Sequence, residues 1–255
     1  MKPSMKSLLA AAAVMAVAMP VFAATHATHP KKEEWAFDGV LGKNDKPAVQ
    51  RGLQVYKEVC AACHGLKRVA FRSLTDIGFS EAEVKSFAAG YDVQDGPNDD
   101  GEMFTRPGRP SDKFPSPYAN DQAGRAMNNG ALPPDLSLII KAREDGANYV
   151  YSLLTGYSDA PEGFEVPEGG HYNKYFPGGV IKMPPPLSND QVTYQDGTNA
   201  SMEQEAHDLV SFLQWAAEPE MEARKRMGIK IILFLAVMTG FFYVAKKRIW
   251  SNLEH

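Results

Sequence analysis

The chain has 255 residues, 44% of them hydrophobic, which is ample core material for one compact domain with appendages. Its two cysteines are too few for a disulfide framework. A formal net charge of −4 argues against a nucleic-acid-binding protein.

Residues 1–23 read as a secretory signal. Lys2 and Lys6 form a basic start, Leu8 to Val21 is apolar and alanine-rich, and Val21-Phe22-Ala23 carries small-residue cleavage chemistry. The mature chain is therefore expected to begin near Ala24, outside the cytoplasm. Thr25 to Asn44 is polar and irregular, with His26 and His29 in solvent. Asp45 followed by Pro47 signals a helix start, and Val49, Leu53, Tyr56 and Cys60 then fall on one face.

That helix leads into Cys60-Ala61-Ala62-Cys63-His64, which contains both cysteines of the chain. This is the attachment signature of a c-type haem. Each thiol can form a thioether to one vinyl group, and the three-residue offset sets both sulfurs on one side of a turn. His64 directly after them can reach the iron as a neutral imidazole. A thioredoxin-like redox pair would want a βαβ context, and none is evident.

Further on, Ser80 and Glu83 form a capping box for a short helix through Val84 and Phe87, ended by Gly90. Asp92 to Ser116 is dense in Pro, Gly, Asp and Asn and reads as loop throughout. Asn120 opens a helix that ends at Asn129-Gly130. Pro133-Pro134-Asp135 is expected to start another, through Leu136, Ile139 and Ile140 to near Gly146, and Asn148 to Leu154 gives one more. Asp159 to Asn199 is long and irregular, as a segment wrapping a large flat cofactor would be. Ser201 and Gln204 cap a helix whose apolar side is Leu209, Val210, Phe212, Leu213 and Ala216, with Pro219 expected to kink it. No repeat is seen, and the fold class is mostly α.

Ile231 to Ala245 carries no charge over fifteen residues. Extending it back to Met227, with Lys230 snorkelling, gives roughly 28 Å of helix against a hydrocarbon core of ~30 Å. Residues 227–245 are thus expected to cross the membrane once, leaving 24–226 as the exported haem domain and 246–255 as a cytoplasmic tail. Basic residues flank both ends, so the positive-inside rule does not decide the orientation. The signal and the haem motif place the domain outside, in the periplasm of a bacterial cell membrane. Lys2 and Lys6 leave with the signal, and Lys230, Lys246, Lys247, Arg248 and Glu254 belong to anchor and tail. The exported part keeps 21 basic and 30 acidic residues, a charge near −9 that suits a basic soluble partner and makes nucleic acid a poor one.

The sixth iron ligand has several candidates. Met183 stands out because Pro184-Pro185-Pro186 would hold its thioether on a stiff loop. Met103 and Met127 come next, then His171 and His207.

Several stretches together resemble the cytochrome c1 family, the haem subunits of quinol–cytochrome c oxidoreductase (cytochrome bc1) complexes. They are Arg51-Gly52 with Val55-Tyr56-Lys57, Asp95-Gly96-Pro97-Asn98 with Gly101-Glu102-Met103-Phe104, and the run from Asn128 to Ser137. Tyr149, Ser152 to Tyr157, Met183-Pro184-Pro185-Pro186-Leu187 and the C-terminal anchor complete the likeness. The resemblance implies a class I cytochrome c-like haem domain with one covalent haem c. It also implies Met183 as the ligand opposite His64, and Arg143 beside a haem propionate. Its implied partners are cytochrome b, a Rieske iron–sulfur protein and a basic cytochrome c, the chain being an electron carrier and not an enzyme on its own. Further cysteines, which some bacterial relatives use for a structural disulfide, are missing here. A membrane-tethered shuttle working alone, or a haem enzyme such as a peroxidase or nitrite reductase with an open sixth position, are the competing functions.

Overall fold

The structure, a computed structural model, describes residues 28–251. The expected signal over residues 1–23 and the end of the tail lie outside the described residues. The elements in order are α1 (Lys46–Glu58), two 3₁₀ segments (Cys60–Ala62 and Phe71–Ile77), α2 (Glu81–Ala89), β1 (Asp92–Asp95), β2 (Phe104–Pro107), α3 (Asp121–Met127), α4 (Gly146–Leu154), β3 (His171–Tyr172), β4 (Val180–Ile181), α5 (Met202–Ala217) and α6 (Met221–Ile249). The fold is mostly helical, as expected.

Asp45 caps α1, its side chain accepting from the Ala48 N–H, and Pro47 sits in the first turn where its missing N–H costs nothing. Val49, Leu53, Val55 and Tyr56 are buried along α1. They meet Leu209, Val210, Phe212 and Leu213 of α5, so the first described helix and the last one before α6 form the central pair. The crossing point is Gly52. A Cβ there would lie 2.0 Å from the Asp208 carbonyl oxygen and 2.7 Å from Phe212 Cβ, so only glycine lets the two backbones come this close. Beside the crossing, Arg51 clamps Asp208, with Nε–Oδ2 2.7 Å and Nη2–Oδ1 3.0 Å. Asp208 is fully buried, and this bidentate pair is what makes a carboxylate tolerable there.

Ser80 and Glu83 form the expected capping box on α2, and Ser201 caps α5 through the Gln204 N–H. Four expectations change, the smallest being that the segment expected to be irregular over 159–199 carries the short antiparallel pair β3–β4, with His171 opposite Ile181. The loop expected over 92–116 contains an antiparallel hairpin in which Asp92 pairs with Pro107 and Asp95 with Phe104. The helix expected from Pro133 does not form, and residues 136–145 run through turns until α4 begins at Gly146. The polar groups that would have opened that helix bind elsewhere, as described below. Pro219 breaks the last helix outright: α5 ends at Ala217, Glu218 caps it, and α6 restarts at Met221. A proline lacks the N–H for the next helical bond and its ring collides with the carbonyl four residues back.

α6 contains an 18-residue window with a mean hydropathy of 2.0, none of it buried inside the protein. A helix this apolar and this bare fits a membrane anchor.

Candidate cofactor site

The site is built from the end of α1 outward. Cys60 to Ala62 tightens into a 3₁₀ turn, with the Cys63 and His64 N–H groups both donating to the Cys60 carbonyl at 3.1 and 2.9 Å. Cys60 and Cys63 stand on that one turn and form no disulfide among the described residues. Cys60 packs against the core, and burial pushes its thiol up to about 12, with Cys63 adding to the shift. The Tyr56 hydroxyl donates to the His64 carbonyl at 2.9 Å, fixing the backbone after the turn to α1.

The His64 imidazole is held from the other side. Its Nδ1 lies 2.7 Å from the Pro134 carbonyl oxygen, an acceptor only, so Nδ1 carries the proton. Nε2 has no protein hydrogen-bond partner among the described residues and keeps its lone pair. Burial lowers the pKa of this histidine, while Pro134 and the Asp135 charge oppose the shift. This is the form in which an imidazole ligates a metal: one nitrogen oriented by a carbonyl, the other free.

The Pro134 carbonyl is itself held in place. Asp135 Oδ2 accepts from the Lys67 N–H at 2.9 Å, the Leu136 N–H donates to the Gly65 carbonyl at 2.9 Å, and Ser137 Oγ accepts from the Arg68 N–H at 3.1 Å. Residues 134–137 thus form a strap along 64–68. This is where the helix-opening groups of Pro133-Pro134-Asp135 go: the carboxylate is shared between Lys67 and the Ser137 N–H.

A cavity of about 450 Å³ opens beside the motif, lined by Cys63, Tyr118, Arg125, Leu132 and Pro134 among others. It takes in Cys63 but not Cys60, His64 or Met183. Tyr118 accepts from the Asn128 amide at 2.8 Å, and burial raises its pKa beside Cys63.

Met183 is half-buried and packs against the core together with Ile139 and Tyr149. Its carbonyl accepts from the Tyr157 hydroxyl at 3.0 Å. Met103 and Met127, by contrast, are 59% and 75% exposed. His207 stacks on Trp35 with ring centroids 4.7 Å apart, and His171 lies in β3. Arg143 is exposed and donates to the adjacent Ala142 carbonyl at 3.0 Å. Its charge reaches Tyr149, whose pKa burial raises and Arg143 pulls back; Tyr149 in turn acts on Tyr157.

The residues suit a haem: two thiols and an oriented imidazole stand on one turn, and both Cys60 and the Met183 thioether pack against the hydrophobic core. Sequence reasoning missed Pro134, Tyr56, Tyr118 and Tyr157. The first acts through a backbone carbonyl, which leaves no trace in residue type.

The cytochrome C1 family model matches residues 35–253. Cytochrome c1 of Rhodospirillum rubrum is 48% identical over 266 residues, covering 98% of this chain and 98% of that protein. A mitochondrial cytochrome c1 heme protein of Arabidopsis thaliana is 51% identical over 233 residues, 91% of this chain and 75% of the relative. Cytochrome b/c1 of Bradyrhizobium diazoefficiens is 51% identical over 245 residues, 88% of this chain, which spans only 36% of that longer protein. The chain belongs to the cytochrome c1 family, the electron-transfer haem subunits of bc1 complexes, and carries the covalently bound haem c of that family.

Proposed function

We propose that this chain passes single electrons from a Rieske iron–sulfur protein to a basic cytochrome c, working beside cytochrome b in a quinol–cytochrome c oxidoreductase. Residues 24–226 form the haem domain on the periplasmic side of a bacterial cell membrane, 227–245 span the bilayer, and 246–255 face the cytoplasm. Bound haem supplies a one-electron couple at its iron; the protein residues position it and set its potential.

Cys60 and Cys63 would hold the haem through thioethers, His64 Nε2 and Met183 Sδ would ligate its iron, and Arg143 would pair with a propionate. The observation that carries this reading is the 2.7 Å contact of His64 Nδ1 with Pro134, which leaves Nε2 alone for a metal. The half-buried position of Met183, whose carbonyl accepts from the Tyr157 hydroxyl, favours it over the exposed Met103 and Met127. A thioether ligand raises the potential relative to a second histidine. With His64 and Met183 both ligating, the iron would have no position for a substrate, so the chain would act as a carrier and bond chemistry would fall to the complex.

Met183→Leu tests the ligand assignment. The variant is expected to show a marked fall in potential and new carbon monoxide binding in the reduced form. An unchanged redox titration would move the ligand to Met103, Met127 or a histidine. Replacing Cys60 and Cys63 together by alanine is expected to leave haem extractable by acid–acetone, since no other thiol exists in the chain.

A further inference from the structure

The anchor helix is not the only apolar surface at the base of the domain. Between the buried Trp35 and Phe37 and the start of α1, residues 37–42 make a tight loop. The Lys43 N–H donates to the Ala36 carbonyl at 2.9 Å and closes it. Gly39 sits at φ +70°, and a Cβ on Gly42 would fall 2.0 Å from the Asp38 carbonyl oxygen, so both glycines are needed for the loop to turn this sharply. Between them stand Val40 and Leu41, 69% and 79% exposed. Exposing two large aliphatic side chains on a closed, hydrogen-bonded loop costs stability unless something covers them.

The place of the loop indicates what covers it. Lys225, in the second turn of α6, donates to the Phe37 carbonyl at 2.6 Å and the Gly42 carbonyl at 3.1 Å, gripping both ends of the loop. Glu222, one turn earlier, accepts from the Asn44 N–H at 3.1 Å. The loop is therefore fixed to the anchor two residues before Met227, the start of the apolar stretch. At 1.5 Å of rise per residue that is about 3 Å along the helix, within the headgroup layer of a bilayer whose core begins there. Exposed Lys43 and Lys46 follow the apolar tip, suiting the phosphates of an anionic lipid.

We propose that Val40 and Leu41 form a second membrane contact, inserted into the outer-leaflet headgroup and acyl boundary beside α6. Two contacts on a rigid domain fix its tilt as well as its height. One helix leaving through the Glu218–Glu220 break leaves the domain free to lean; a loop pinned to that helix and seated in lipid holds it at one angle.

The proposal rests on α6 being the anchor, and its test separates the two. The photoreactive residue p-benzoylphenylalanine is placed singly at Leu41, at Asp99 on the distant hairpin, or at Val237 within α6, in the full haem-loaded chain in its native membranes. After irradiation, peptides carrying residue 41 are expected to bear phospholipid adducts, peptides carrying 99 to bear none, and 237 to bear adducts with lipid or another membrane-spanning protein. Protein adducts at 41 without lipid would overturn the proposal in favour of a subunit covering the loop. An absence of adducts at 41, with 237 labelled, would return the loop to water and equally overturn it. If 237 also fails to label, the anchor reading itself falls. A nitroxide on Leu41→Cys checks that the bulky probe does not insert by itself. Oxygen and nickel-chelate accessibilities are expected to place that label roughly 5–10 Å into the boundary, and a depth equal to that of an Asp99→Cys label would overturn the proposal.

Discussion

Glu205 is fully buried on α5, where a carboxylate is costly unless both oxygens are served. Its Oε1 accepts from the Val192 N–H at 3.0 Å, whereas Oε2 has no partner among the described residues, and neither does the neighbouring buried Tyr194 hydroxyl. Burial raises the Glu205 pKa, Asp190 and Glu58 add to the rise, and backbone N–H groups oppose it; Tyr194 and the Arg51–Asp208 pair stand close by. The folded chain therefore holds this proton at pH values where the unfolded chain, titrating near ~4.3, has lost it. The sign follows: the folded state is favoured most below the unfolded value and loses stability as pH rises through the raised folded value. Glu205→Gln keeps the acceptor for Val192 and removes the charge. It is expected to raise the urea midpoint at about pH 8 and to change it little at about pH 4. A midpoint shift of equal size at both would show that the carboxyl does not titrate with folding. The same variant keeps the Val192 hydrogen bond and is expected to leave the potential unchanged.

At the scale of elements, the junction between α5 and α6 decides how the domain can be cut from its anchor. Cleavage after Ala217, where α5 ends, removes more than the apolar span. It takes Met221, which is 3% exposed, and the Glu222 and Lys225 contacts to loop 37–44. It also takes Glu218, which pairs with Lys141 at 2.8 Å and with Arg224. Truncation after Arg226 keeps all of these. Both cuts are expected to release a haem-bearing soluble domain, with the longer one melting higher; equal thermal midpoints would show that the junction contributes nothing. Such long-range contacts explain which parts of the molecule could be read from the chain. Local signals sufficed for α1, α2 and α5: a cap, a proline in the first turn, and an apolar face at helical spacing. The strap over 134–137 reads as a helix in the sequence because its hydrogen-bond partners lie some 70 residues away at 64–68. The Arg51–Asp208 clamp joins residues 157 apart and was equally invisible. In the site, the thiols and His64 were legible because their chemistry demands those residue types at that spacing. Pro134 was not, because any residue has a carbonyl.

Across the whole molecule, charge is distributed unevenly, and this bears on the proposed transfer of electrons to a basic cytochrome c. The hairpin region carries Asp92, Asp95, Asp99, Asp100 and Glu102 with no base among residues 92–102. Asp95 is bound to Arg106, which also holds Asp112 at 2.6 Å, so its charge is largely spent within the fold. Asp92, Asp99, Asp100 and Glu102 are exposed, as are Asp159, Glu162, Glu165 and Glu168 on the second loop. Eight exposed carboxylates on two loops of an acidic domain are suited to steer a lysine-rich cytochrome c. Steering acts chiefly on the association rate, by about 10-fold or more at low salt, and weakens as the Debye length falls to ~8 Å near physiological ionic strength. Neutralising either loop to Asn and Gln, with Asp95 left in place to keep the hairpin, is expected to lower the second-order rate constant with a basic cytochrome c. The dependence of that rate on ionic strength should become shallower, while the haem spectrum and potential stay as they were. Stopped-flow oxidation across a salt series reads both quantities. A slope unaltered by either set of substitutions would make the acids solubility features and place the docking surface elsewhere on the domain.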